Sequence, residues 1–231
     1  MTDAPRSCET LWLGCVTYDD GLELQERSVR ERTAGDAPDR LLLLEHPPVL
    51  TLGRGANREN VLASEAELAA LGARIYHTGR GGDVTYHGPG QLVGYPVILL
   101  KPDRCDVHRY VRDLEEVLIR VLAELGISGE RIAGLTGVWV GGEKVAAIGV
   151  RIARWVTSHG FALNVSTDLS HYRAIVPCGI SDRGVTSVER LTGVRYPLDE
   201  IAALVAARFG DVFERRITHC DRSGVDQPAR A

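Results

Sequence analysis

The sequence predicts an α+β protein: a mixed, largely antiparallel β-sheet flanked by helices. Strand-like runs outnumber helix-like ones along its 231 residues. Most connections are too short for the crossover that a βαβ unit requires. One long segment, residues 107–125, carries apolar residues on the 3-4 spacing of a helix laid against a core.

Taken in order, residues 11–16 form a first strand, and a helix follows over 20–32, rich in Glu, Leu, Gln and Arg. Residues 41–45 and 49–52 are apolar runs broken by His46-Pro47-Pro48, hence two strands about a turn. Ser64-x-x-Glu67 is a capping box that opens a short helix, and Gly72 ends it. Residues 75–78, 83–87 and 92–100 are strand-like and separated by glycines. In the helix over 107–125 the apolar positions are Val107, Tyr110, Val111, Leu114, Leu118, Val121, Leu122 and Leu125, and Gly126 stops it. Residues 137–140, 144–152 and 160–165 form a strand series with a Gly141-Gly142 turn. A last helix spans 198–213, with Pro197 at its start. Residues 218–231 are polar and contain Gly and Pro, which predicts a frayed, disordered tail after a single domain over 1–217.

Composition narrows the function classes. The chain is 44% hydrophobic and 25% charged with a formal charge of −4, which argues against a protein that coats nucleic acid. No run reaches the roughly 18 apolar residues of a membrane span, and MTDAPRSCETLWLGC lacks the apolar core of a secretory signal. Five cysteines without a CxxC pair disfavour a disulfide framework and a zinc ribbon, so a reducing, cytoplasmic setting is expected. Of 27 basic residues only Lys101 and Lys144 are lysines.

Three segments carry chemistry. The first, Arg80-Gly81-Gly82-Asp83-Val84-Thr85-Tyr86-His87-Gly88-Pro89-Gly90-Gln91, has five Gly or Pro among its twelve residues. Glycine lets backbone approach a ligand with no Cβ in the way, and Arg80, Thr85, Tyr86 and His87 supply donors around that floor. Two tight turns between strands would have the same composition. The segment is neither a Walker A loop nor GxGxxG. In the second, Gly141–Arg151, Lys144 opens an apolar, small-residue strand. It is either an exposed strand end or a lysine aimed into a cleft, where an ammonium short of water gives up its proton or stabilises an anion. In the third, Cys178 sits between Pro177 and Gly179 in a turn open to a ligand. Cys8, Cys15, Cys105 and Cys220 read instead as inert small hydrophobes. His46, His77, His87 and His159 lie near strand ends with no HxH or HxxxH spacing, so no metal site is expected. Residues 158–164 are expected to line a pocket.

Glu45-His46-Pro47, the run 80–91, Lys144 with Ala147-Ile148-Gly149, His159-Gly160-Phe161-Ala162-Leu163-Asn164 and Pro177-Cys178-Gly179-Ile180 together resemble, in order and spacing, the bacterial octanoyltransferases of lipoate synthesis, across residues 11–213. The resemblance implies the fold of the biotin/lipoate protein ligase group. It implies a dyad in which Cys178 is the nucleophile that carries the acyl thioester, while Lys144 lowers the thiol pKa and shuttles its proton. It implies acyl-binding positions at Arg80, Gly81, Gly82, Asp83, Val84, Thr85, Tyr86 and His87, at Ala147, Ile148 and Gly149, and at Gly160, Phe161 and Ala162, with no particular role for Asp83.

The implied donor is octanoyl-acyl carrier protein. The implied acceptors are lipoyl domains of 2-oxoacid dehydrogenase E2 subunits and the glycine cleavage H protein, with no cofactor, no metal, no nucleic acid and no membrane. Val84, Ile148, Phe161 and Ala162 are expected to wall an apolar channel. A basic docking patch is expected for an acidic carrier, and Arg54, Arg58, Arg80, Arg151 and Arg173 are its candidate members, the alternative being scattered, solvated surface charges. The alternatives are an ATP-dependent lipoate or biotin protein ligase, which needs no cysteine nucleophile, a non-catalytic acyl-binding protein, and a cysteine hydrolase.

Overall fold

The computed structural model describes residues 6–176 and 183–220. The order of elements is β1 (Ser7–Cys15), α1 (Tyr18–Ala34), β2 (Asp39–Glu45), β3 (Val49–Leu52), α2 (Glu65–Ala70), β4 (Arg74–His77), β5 (Val84–His87), β6 (Gln91–Val97), α3 (Val107–Glu124), β7 (Glu130–Ile132), β8 (Leu135–Val140), β9 (Glu143–Ala153), β10 (Val156–Asn164), α4 (Val188–Thr192), α5 (Leu198–Phe213) and β11 (Arg216–His219), with 3-10 turns at Arg58–Asn60 and Leu169–Ala174. The large sheet has the strand order β11-β1-β2-β6-β10-β9-β8-β7, and a smaller one has the order β4-β3-β5. In the large sheet β1 runs parallel to both β11 and β2, and every other neighbouring pair is antiparallel.

Local chemistry explains most boundaries. Thr17 caps α1 by accepting the Asp20 N–H at 3.2 Å, and Asp19 and Asp20 complement the positive helix end, so α1 starts earlier than the helix-forming composition alone indicates. The capping box at Ser64 and Glu67 is formed, with both reciprocal bonds present. β10 reaches back to Val156 because Arg154 and Trp155 take left-handed φ values of 52° and 66°, the backbone of a tight hairpin turn. β7, α4 and β11 are short elements that the sequence reading did not anticipate. β11 also corrects the expected tail. Thr218 and His219 pair with Glu9 and Thr10 of β1, because a parallel partner satisfies what is otherwise an open strand edge.

The centre of the large sheet is buried on both faces. The run Leu41-Leu42-Leu43-Leu44 on β2 shows why so many apolar residues stand in sequence: Leu41 and Leu43 join the core beneath α3 and α5, while Leu42 and Leu44 join a separate cluster with Leu11, Val93, Tyr95 and Ala162 on the α1 side. Under the first face Phe209 and Phe213 stack at 4.3 Å and Tyr110 meets Phe213 edge-on at 5.8 Å. The small sheet forms its own cluster, in which Leu50, Leu52, Val84 and Tyr86 pack with Tyr172 and Ile175. No helix among the described residues is long and apolar enough to cross a membrane.

Candidate active site

On the α1 side a cleft of about 40 Å³ runs over β6, β10 and β9 and beneath the Gly-rich segment. Its floor is built from missing side chains. Ala147 pairs with Ala162 and Gly149 with Gly160 across β9 and β10, so four small residues share one face. Gly149 must be small, since a Cβ there would stand 3.0 Å from the Gly81 carbonyl oxygen of the overlying loop. Gly160 must be small as well, because its Cβ would lie 2.3 Å from the Gly94 oxygen.

The same alternation revises the expected channel. Ile148 and Phe161 border the cleft, yet both side chains pack on the opposite face into the core under α3 and α5. Val84 and Tyr86 are not among the cleft-lining residues. They point from β5 into the small-sheet cluster, while their neighbours Thr85 and His87 face the cleft. Gly81 does not line the cleft either. Its N–H donates to the Val150 oxygen at 2.9 Å and pins the loop over β9. Of the expected apolar walls only Ala162 presents its own side chain. Val93 on β6 supplies another, and it was not anticipated.

The loop's charged residues are committed to the scaffold. The Arg80 guanidinium is buried and donates to Thr51 through Nη2 to the carbonyl at 2.6 Å and to Oγ1 at 2.9 Å. It therefore cannot belong to an exposed docking patch, whereas Arg54, Arg58, Arg151 and Arg173 are exposed. Asp83 accepts the backbone N–H groups of Asn57 at 3.1 Å and Val84 at 2.7 Å and the side-chain amide of Asn60, so it braces the adjacent 3-10 turn.

The end of the cleft remote from Lys144 along β9 is polar but uncharged at its imidazoles. His46 donates through Nδ1 to the Val16 carbonyl at 2.7 Å and accepts the Tyr95 hydroxyl proton at Nε2, also at 2.7 Å. Its pKa is pushed down to about 4 by burial. His159 has a left-handed φ of 55°, which breaks strand alternation and brings its ring against Tyr95. Its N–H is caught by Gln25 of α1 at 2.8 Å. Burial and then the Arg80 and Arg151 charges press its pKa down to about 4.

His87 meets Gln91 at 2.7 Å through Nδ1. The Gln91 amide nitrogen faces three acceptors, the Tyr86 carbonyl, Asn164 Oδ1 and Tyr172 hydroxyl. Its oxygen must therefore accept the Nδ1 proton, which leaves Nε2 with the lone pair. Burial, then the neighbouring His46, lowers the His87 pKa to about 3. Neither Tyr18, which meets His46 at 5.3 Å, nor Tyr95 carried a signal in sequence that would place it here.

These three imidazoles make stability pH-dependent. Free histidine titrates near 6.5, so below that value the unfolded chain binds protons that the folded protein refuses. Stability should be full above about pH 6.5 and should fall as the pH drops toward about 3, the lowest of the three folded values. Thermal unfolding across this window should show a declining Tm, with a shallower slope for His46→Gln than for the parent. Equal slopes for the two proteins would show that burial of His46 contributes nothing.

Lys144 lies on β9, three residues before Ala147, and is buried. Its Nζ stands 4.7 Å from the centroid of the Trp139 ring. Its backbone N–H donates to the Gly184 carbonyl and its carbonyl accepts the Thr186 N–H, each at 2.9 Å, so residues 184–186 run parallel beside it. The Thr186 carbonyl in turn accepts the Asn164 amide at 3.0 Å, which joins Lys144 to the Gln91–His87 network. On the other side of the gap, Val176 donates its N–H to the Asn60 carbonyl at 2.7 Å. Cys178, with the rest of residues 177–182, lies outside the described residues. Among those that are described, no cluster of three His, Cys, Asp or Glu side chains is placed to hold a metal ion.

The family described as the lipoyl protein ligase A/B catalytic domain matches residues 17–210. An octanoyltransferase of Solibacter usitatus is 53% identical over 209 residues, which cover 90% of this chain and 94% of that protein. One from Myxococcus xanthus is 54% identical over 208 residues, which cover 87% of this chain but only 58% of that longer protein. Among solved structures, a putative lipoate protein ligase from T. acidophilum superposes with a TM-score of 0.75 at 16% identity, covering 93% of this chain and 89% of the other. A biotin protein ligase from Aquifex aeolicus, in complex with biotin and ATP, superposes with a TM-score of 0.54 at 15% identity, covering 89% and 70%. At these identities the structural likenesses concern the fold, and they agree with the mixed sheet flanked by helices.

Proposed function

We propose, from the premise that this chain belongs to the lipoyl protein ligase A/B catalytic-domain family and is an acyltransferase of the octanoyltransferase kind, that it passes an octanoyl group through a covalent Cys178 thioester to a lysine of a lipoyl domain. The donor in this reading is octanoyl-acyl carrier protein. The acceptors are lipoyl domains of 2-oxoacid dehydrogenase E2 subunits and the glycine cleavage H protein.

The observation that carries the reading is the placement of Lys144. A buried lysine is hydrogen-bonded along its backbone to Gly184 and Thr186, in the chain that follows Cys178 by only six to eight residues. Val176, two residues before Cys178, is tied to Asn60, which binds cleft-lining Asp83. These ties from both sides of the cysteine to the neighbourhood of Lys144 and the cleft support the reading.

Each step then has a physical agent. The Lys144 ammonium favours the Cys178 thiolate, which attacks the thioester carbonyl. The new carbon–sulfur bond forms on Cys178, the old one breaks, and the carrier thiol leaves with a proton given up by the Lys144 ammonium. The small-residue floor of β9 and β10 lets an unbranched chain lie flat against backbone. The acceptor lysine then attacks the enzyme thioester, an amide forms, and the amine's proton passes to Lys144 while Cys178 returns as a thiolate. Thioester exchange is nearly balanced and amide formation runs downhill, so no ATP is consumed.

The test is intact-mass analysis of the protein mixed with octanoyl carrier protein and then chased with a lipoyl domain. A species heavier by one octanoyl group should form and should vanish on the chase. Transfer from free octanoate that depends on ATP, with no covalent species, would replace this reading by a ligase. Release of free octanoate on the chase would replace it by a hydrolase.

A further inference from the structure

We propose that Trp139 is the positioning residue for Lys144, holding its ammonium over one face of a buried indole. The proposal rests on the reading of Lys144 as partner of the reacting thiol, and it names the group that keeps that partner aimed.

The strand register supplies the first observation. Across β8 and β9, Val138 pairs with Ala146, but the next pair is Trp139 with Lys144, and the register shifts between them. Val145 is the extra residue of a β-bulge. Without it Trp139 would face Val145, and Lys144 would fall opposite Val140. A bulge re-aims a side chain at the cost of a ladder bond and is common beside active sites.

The ring supplies the second. Trp139 is 1% exposed, and Lys144 Nζ stands 4.7 Å from its centroid. The Arg183 guanidinium carbon lies 5.7 Å from the same ring, so one indole attracts a cation from β9 and another from the chain that follows Cys178. An aromatic face attracts a cation but accepts no proton. It can therefore fix where the amine sits and leave its protons to the thiol or to the incoming amine.

The space around the lysine stem supplies the third. Gly137 has a φ of 120°, and a Cβ there would lie 2.5 Å from the Ala146 oxygen and 3.5 Å from Lys144 Cε. Its N–H donates to Glu115 of α3 at 3.1 Å, which anchors β8 two residues before Trp139.

Trp139→Met and Trp139→Phe separate positioning from packing. Both shorten the side chain and should lower Tm alike, but only phenylalanine keeps an aromatic face. For transfer from octanoyl carrier protein to a lipoyl domain, Trp139→Met should lose about ten- to thirtyfold in kcat with the donor KM unchanged, and Trp139→Phe should stay within about threefold of the parent. Equal kcat for the two variants, or a loss confined to KM, overturns the proposal. If Trp139→Met does not fold, fluorinated tryptophan at position 139, which drains the ring face with little change of shape, should lower kcat stepwise with fluorine count, and a flat series overturns the proposal. Lys144→Met runs in parallel: parent-like transfer by that variant removes the underlying reading of Lys144, whereas an inactive Lys144→Met beside indistinguishable Trp139 variants removes only the role of Trp139.

Discussion

Cys178→Ala is expected to abolish the octanoyl mass increment on the intact protein and to lower transfer to a lipoyl domain by at least about a thousandfold, the scale on which loss of a covalent nucleophile is felt. The fold should survive, since the change removes a single sulfur atom. A variant that still acquires one octanoyl group would show that another residue carries the acyl chain. Two of the other cysteines are poor substitutes. Cys8 is fully buried, and burial followed by the nearby Asp39 carboxylate drives its thiol pKa far up. Cys15 is exposed, but partial burial and Glu45 raise its pKa too. Mass analysis resolved by peptide then distinguishes acylation at Cys178 from acylation at the exposed Cys105 or the half-buried Cys220.

Lys144→Arg should leave a reactive thiol and still fail in transfer. The guanidinium keeps the positive charge that favours a thiolate, and it stacks well on an aromatic ring. It does not give up its proton in a protein, so it cannot act as the shuttle that the incoming amine requires. Alkylation of Cys178 should proceed within about threefold of the parent rate, while transfer falls about a hundred- to ten-thousandfold, the range general acid–base catalysis supplies. Equal transfer by mutant and parent would confine Lys144 to an electrostatic role. In a chain whose only other lysine is Lys101, this is an unusually clean substitution, because arginine is its ordinary choice of cation.

Local signals in the sequence carried much of the fold. The 3-4 spacing under α3, Pro197 before α5 and the Ser64 box before α2 are short-range features, and those helices form where such features stand. The elements that were not legible depend on distant partners. β11 exists because β1 offers an open edge more than 200 residues earlier. The site divides in the same way. The glycines of the floor and the unusual position of Lys144 are visible in one dimension. The direction in which Val84, Tyr86, Ile148 and Phe161 point is set by strand pairing, so residue type alone does not tell that Ile148 and Phe161 border the cleft while packing into the core, or that Val84 and Tyr86 turn into the small-sheet cluster. The Tyr95–His46 and Gln91–Asn164 bonds join residues 49 and 73 positions apart, and no local pattern encodes either. The Trp139–Lys144 contact depends on a single register shift that no composition or periodicity reveals.

The pairing of β11 with β1 has a practical consequence. Ser7 stands beside Arg216 and Thr10 beside His219, so the first and last described strands lie side by side at one border of the sheet, and β2 separates β1 from the three strands under the cleft. A linker of about four to six residues, at roughly 3.3 Å each, is long enough to join them. A join made between β11 and β1 at that border, with new termini cut in a surface turn, would leave the strands under the cleft unbroken. The same geometry recommends that border for attaching the protein to a support, since β2 stands between a tether fixed there and the strands under the cleft.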